Sequence, residues 1–238
     1  VLSTQHNAVG YNCRKLRKLS VGTRISGIGS DEFMNDNHLE HLIIRGKDTE
    51  PSGLSLILER IAENITVSFC PDSSSSPESI VFFPEYYEWL DEISPAHIFS
   101  RSIHGEGFRM RKSFENGILN YRKYDSCLEN ALTVESPESL CKIALNRLRW
   151  PSRLEDIFRE KYENVIKKYM GTAFTLAVKD QDFPMLQFIC EHFSPDASAL
   201  ASAIDQCIEK EWGEGNAFLI EAKHKSFSKK TFDFDLDF

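Results

Sequence analysis

No stretch of this 238-residue chain approaches the roughly 20 consecutive apolar residues of a membrane-crossing helix, and its first residues carry no signal-peptide pattern. No CxxC pair occurs among Cys13, Cys70, Cys127, Cys141, Cys190 and Cys207. That absence argues against a zinc ribbon and a disulfide frame, and implies thiols in a reducing compartment, the cytoplasm by default. A general basic surface is also missing. Asp and Glu number 36 against 28 Lys and Arg, a net charge of −8, so nucleic acid is not an expected partner. No period of 20 to 50 residues is evident by eye, as a repeat protein would require. The run Ala177-Val178-Lys179 followed by Met185-Leu186-Gln187-Phe188 is slightly ankyrin-like, but lacks the turn residues that fix such a unit.

What is present is a core. An apolar fraction of 41% with 17 Phe excludes a disordered chain. The spacing predicts a short basic helix over Val9 to Leu19, a β-prone run over Val21 to Ile25, and a helix over Leu54 to Ile65. Residues 66–80, including C-P-D-S-S-S-S-P-E, read as an internal polar loop. Amphipathic stripes predict helices over Glu85 to Ile93, Pro137 to Leu148, Arg153 to Met170, Thr172 to Lys179, Pro184 to Phe193 and Asp196 to Trp212. Residues 227–238 read as an acidic aromatic tail after a single domain over 1–226.

The segment Arg24 to Phe33, R-I-S-G-I-G-S-D-E-F, has the composition of a ligand loop. Its glycines permit close backbone approach, and a strand followed by such a loop aims N–H groups at a phosphate. Asp31 supplies the hard oxygen that Mg²⁺ prefers. A surface turn rich in Gly and Ser is the plain alternative.

The wider stretch Asn7 to Phe33 resembles the asparagine synthase family, in which a strand ends in S-G-E-G-[SA]-D-E-[LF]. A second region, Lys142 to Lys161, K-I-A-L-N-R-L-R-W-P-S-R-L-E-D-I-F-R-E-K, is similar to that family's downstream K-x-x-L-R…P…R-x-K pattern. The resemblance implies an α/β, predominantly helical fold: the C-terminal portion of an adenine-nucleotide α-hydrolase-like, Rossmann-like synthetase domain. It implies Mg-ATP, a small-molecule or peptide carboxylate that is adenylated, and an amine donor that attacks it. It also implies an upstream glutaminase or pyrophosphate-loop portion of the same protein. Ser26, Gly27 and Gly29 would bind nucleotide, Asp31 would hold the metal, and Lys161 would be the catalytic cation that meets the phosphates. An ammonium suits that role, because charge shifts onto the departing pyrophosphate.

The chain departs from the family at Ile28, where relatives carry the Glu credited with deprotonating the amine. The plain reading of Lys161 is a solvated helix lysine. Other groups suggest less: His38 and His41 are a chance H-x-x-H, and H-I-F-S-R-S-I-H-G-E-G from His97 reads as a surface segment. Phe82 to Trp89 reads as core and helix entry. The alternative to a ligase is a non-catalytic helical interaction module with a degenerate nucleotide site.

Overall fold

The computed structural model describes residues 2–3, 13–29, 33, 38–71, 76–93 and 98–231. The chain is α/β with about 49% helix, and divides into two compact units, residues 1–162 and 163–238.

In the first unit two short strands pair in parallel, β1 (Leu2–Ser3) and β3 (Ile25–Gly27). The main sheet runs in the order β2 (Lys18–Gly22), β4 (His41–Arg45), β5 (Ile65–Phe69) and β6 (Ser79–Phe83). The first three strands are parallel and β6 is antiparallel to β5. Leu19, Leu42 and Val67 stand side by side, as do Val21, Ile44 and Phe69.

Alternation places Leu42, Ile44, Val67, Phe69, Val81 and Phe83 in the core, and Leu54, Ile57 and Leu58 of α1 (Leu54–Leu58) are buried as well. The helix expected to reach Ile65 stops after Leu58, because Ile65 is recruited into β5. The polar loop over 66–80 is likewise shorter, since both its ends are strand. Of the basic helix over 9–19, residues 9–12 lie outside the described residues, and Lys18 and Leu19 belong to β2.

The predicted helix over 85–93 is instead β7 (Tyr87–Ile93), paired antiparallel with β8 (Ile98–His104). Tyr86, Trp89 and Ile93 fit helical spacing, while Tyr87-Glu88-Trp89 alternates equally well; the partner strand decides. Phe82 and Phe83 are core as expected, but Tyr87 and Trp89 are exposed.

After β8 come α2 (Gly107–Met110) and a tight hairpin of β9 (Phe114–Glu115) with β10 (Ile118–Leu119). Its turn, Asn116-Gly117, has φ of 51° and 77°, the left-handed pair that a two-residue hairpin demands. Then follow α3 (Tyr121–Ser126), α4 (Leu128–Val134), α5 (Pro137–Arg149) and α6 (Asp156–Lys168). Asn120 caps α3, and Ser136 caps α5 with Pro137 in its first turn. Buried Asp125 accepts hydrogen bonds from Arg147 and from the Tyr162 hydroxyl, at 2.8 Å each, which ties α3 and α5 to α6. The Tyr121 hydroxyl donates to Asp48 (2.7 Å), beyond β4, joining the helices to the sheet.

The second unit contains α7 (Met170–Lys179), α8 (Phe183–Phe193), α9 (Ala197–Glu209) and α10 (Gly213–Thr231). Helix α7 packs on α8 and α9, and α10 on α9 and α8. Asp182 and Asp196 cap α8 and α9. The result is one helix pair stacked on another, with the ankyrin-like residues in α7 and α8. Helix α10 was not foreseen, and it runs through residues 227–231 of the expected tail; 232–238 lie outside the described residues.

Candidate functional site

The residues singled out in the sequence fall in two places. Ser26 and Gly27 end β3, followed by half-buried Gly29. Asp31 lies outside the described residues, as do Ser30 and Glu32. Beside this strand, Ile25 presses on Gly53 at the head of α1, so closely that a Cβ at Gly53 would stand 2.5 Å from that of Ile25. Lys161 is on α6, its Nζ 2.5 Å from Glu129 Oε1 and 5.7 Å from the Phe158 ring centroid. Its charge is answered by a carboxylate on α4, which a phosphate would have to displace. Within the Lys142-to-Lys161 pattern, Ile143, Leu145 and Leu148 are core. Lys142 pairs with Glu138, and Arg147 is the buried hub of the Asp125 network.

A cleft of about 630 Å³ opens where the parallel strands β2 and β4 end, the edge at which open α/β sheets receive ligands. Arg24, Arg45 and Lys47 line it with one acid, Glu50. Arg24 is two residues ahead of Ser26 in the chain, and Arg45 Nε donates to Ser20 Oγ at 3.0 Å.

A second cleft, of about 660 Å³, lies where the β8–α2 turn meets α4 and the start of α5. Its wall includes Glu106, which is 1% exposed, and Glu135. The Glu106 backbone N–H donates to Glu135 Oε1 at 2.6 Å, and Asn130 Nδ2 donates to Glu106 Oε2. Glu106 Oε1 is buried without a hydrogen bond. Arg109 Nη1 stands 3.2 Å from it, close enough for charge compensation but not aligned as a donor. Burial raises the Glu135 carboxyl above its ordinary pKa, and the neighbouring charges of Glu106 and Glu85 raise it further, against the Glu106 N–H. Burial chiefly, with Glu106 nearby, pushes the Cys127 thiol up to about 11.

Local chemistry holds this turn in place. Gly107 lies so near Pro84 that a Cβ would stand 2.0 Å from the Pro84 carbonyl oxygen. Arg111 donates Nε to Ile61 O (2.9 Å), Nη2 to Glu63 O (2.6 Å), and Nη1 to Pro84 O (2.5 Å) and Gly107 O (3.0 Å). Desolvation lowers its pKa to about 10, still cationic at neutral pH. Glu106 lies in the His97 segment that sequence reasoning set aside, and the Gly105-Glu106-Gly107 run was its one visible signal. The segment expected at the surface folds as strand β8, with Arg101, Ile103 and His104 exposed, and His104 stacks on Tyr87 with ring centroids 5.0 Å apart.

Nucleophilic thiol chemistry finds little support. Burial raises the thiols of Cys127, Cys141, Cys190 and Cys207, so they remain protonated near neutrality. None of the six cysteines forms a disulfide. Among the described residues no three His, Cys, Asp or Glu side chains group as metal ligands, and no helix is long and apolar enough to cross a membrane. Comparison with protein-family models, with curated proteins and with solved structures finds no match.

Proposed function

We propose that the chain is a non-catalytic interaction module. The observation that carries this reading is the all-helical packing of the second unit, in which α7 packs on α8 and α9, and α10 on α9 and α8. Stacked helices of this kind leave extended faces open to a partner, while their own apolar sides are spent on one another. Ile208, 59% exposed, and Ile220, 42% exposed, are large apolar groups left outside the packing of that unit. The test is reconstitution. A partner identified by crosslinking in extracts is purified and titrated against the full chain, with Ile208→Asp and Ile220→Asp as variants. A saturable complex weakened by these variants, with unchanged circular dichroism, is expected. A complex indifferent to both overturns the assignment to this face.

A second reading is the ATP-dependent ligase of the asparagine synthase type. It draws support from one arrangement, the cationic cleft of Arg24, Arg45 and Lys47 at the end of parallel strands, next in sequence to Ser26, Gly27 and Gly29. In that reading the fold is the C-terminal portion of a Rossmann-like synthetase domain and the protein is cytoplasmic. ATP would lie along this edge with Mg²⁺ on Asp31, and Lys161 would leave Glu129 to stabilise the charge on the phosphate of the acyl-adenylate and on the departing pyrophosphate. ATP–pyrophosphate exchange by the chain together with its upstream portion tests it. Exchange lost in Asp31→Ala and Lys161→Ala supports it, and unaltered exchange in both removes it.

A further inference from the structure

We propose that the cleft walled by Glu106 and Glu135 receives the cationic side chain of a protein partner, a guanidinium or ammonium on an aliphatic stem. The proposal rests on the interaction reading in that its ligand is carried by a protein. The cleft itself is argued independently.

Three features point to this ligand chemistry. A buried carboxylate oxygen with no aligned hydrogen bond costs stability, and a ligand N–H would supply one. Glu106 Oε1 is such an atom, in a side chain that forms part of the cleft wall. The local charge is also unbalanced. Glu85, Glu106 and Glu135 gather here, while the Arg111 guanidinium is committed to four backbone carbonyls. Finally, the remaining wall is apolar where a stem would lie, with Tyr87, Phe108 and Val134. A free anion is repelled by three carboxylates. A compact metal ion lacks a group of three side-chain ligands among the described residues.

Arg109 occupies the place of the missing ligand imperfectly. Its Nη1 reaches Glu106 Oε1 at 3.2 Å, yet its side chain is 61% exposed and supplies no aligned hydrogen bond. An incoming guanidinium displaces it into solvent and takes over the charge compensation of the buried carboxylate. Arg109 is therefore a competitor for the site. Its removal should tighten binding, the opposite of what a phosphate or carboxylate ligand would show.

The probe is Nα-acetyl-L-arginine methylamide, titrated into the full chain and followed by the Asn130 side-chain amide and the Ser136 and Ser139 backbone amides in two-dimensional NMR. The neutral isostere is the citrulline analogue. Saturable shifts with arginine, weaker by on the order of tenfold with citrulline, are expected. Glu106→Gln should weaken the arginine probe by about tenfold, Glu135→Gln serving if that variant fails to fold, and Arg109→Gln should tighten it by about threefold. Equal response to citrulline, no saturable shift, or weakening by Arg109→Gln overturns the site. If the free probe binds but an arginine flanked by apolar residues in a peptide binds no more tightly, the site stands and the protein partner falls.

Discussion

Arg147 and Asp125 meet through two parallel hydrogen bonds, Nε to Oδ1 at 2.8 Å and Nη2 to Oδ2 at 2.9 Å, with side chains 0% and 1% exposed. Such a fork costs much to desolvate and more to break, because one partner removed leaves a buried charge unanswered. Arg147→Ala and Asp125→Ala should each destabilise the first unit by about 3–5 kcal/mol in denaturant unfolding. The double variant should lose clearly less than the sum. Additive losses would mean that the two act independently.

Gly107→Ala tests the anchoring of the β8–α2 turn. The added methyl would stand 2.0 Å from the Pro84 carbonyl oxygen and 2.7 Å from Arg111 Nη1. Backbone cannot yield as a side-chain tip can, so a loss of about 1–3 kcal/mol is expected. Gly117→Ala, at φ 77°, should cost about 1 kcal/mol through left-handed strain, with a further contribution because the methyl would stand 3.1 Å from the Ser52 carbonyl oxygen. Melting temperatures of the two variants rank them.

Glu135 gives a pH signature. Its folded pKa is raised, so its contribution to stability is present below the unfolded value of 4.5 and lost as pH rises through the folded pKa. Glu135→Gln should therefore raise the melting temperature modestly at pH 7. The gain should vanish when the same comparison is made well below pH 4.5, where wild type is also neutral. A variant less stable than wild type at pH 7 contradicts the electrostatic account.

Lys161 separates the two functional readings. As an exposed partner of Glu129 it contributes little to stability, so Lys161→Ala should leave unfolding nearly unchanged under either reading. Under the ligase reading, Glu129→Gln releases the ammonium and should increase ATP affinity a few-fold by calorimetry. Under the interaction reading neither variant changes ATP binding.

The helices from α5 to α9 were legible because period and punctuation agree. Apolar residues recur at helical spacing, and Ser136-Pro137, Asp182 and Asp196 mark the starts. Strand β7 was not, since Tyr86, Trp89 and Ile93 fit a helix while Tyr87, Trp89 and Ile93 fit a strand, and only pairing with β8 chooses between them. The Asn116-Gly117 hairpin could have been read and was missed. At the candidate sites, residue type was visible but company was not. Glu129 is 32 positions from Lys161, and Asn130 is 24 from Glu106, separations that no local pattern reports. Arg147 looked like one basic residue among several until burial distinguished it.

Arg111 gathers carbonyl groups from three separate segments, after α1, after β6 and within α2. One guanidinium thus holds the floor from which Glu106 projects. The carboxylates are preorganised: their mutual repulsion and desolvation are met by the free energy of folding, before any ligand arrives. Binding there should then show little induced change in the backbone, and fast association limited by encounter.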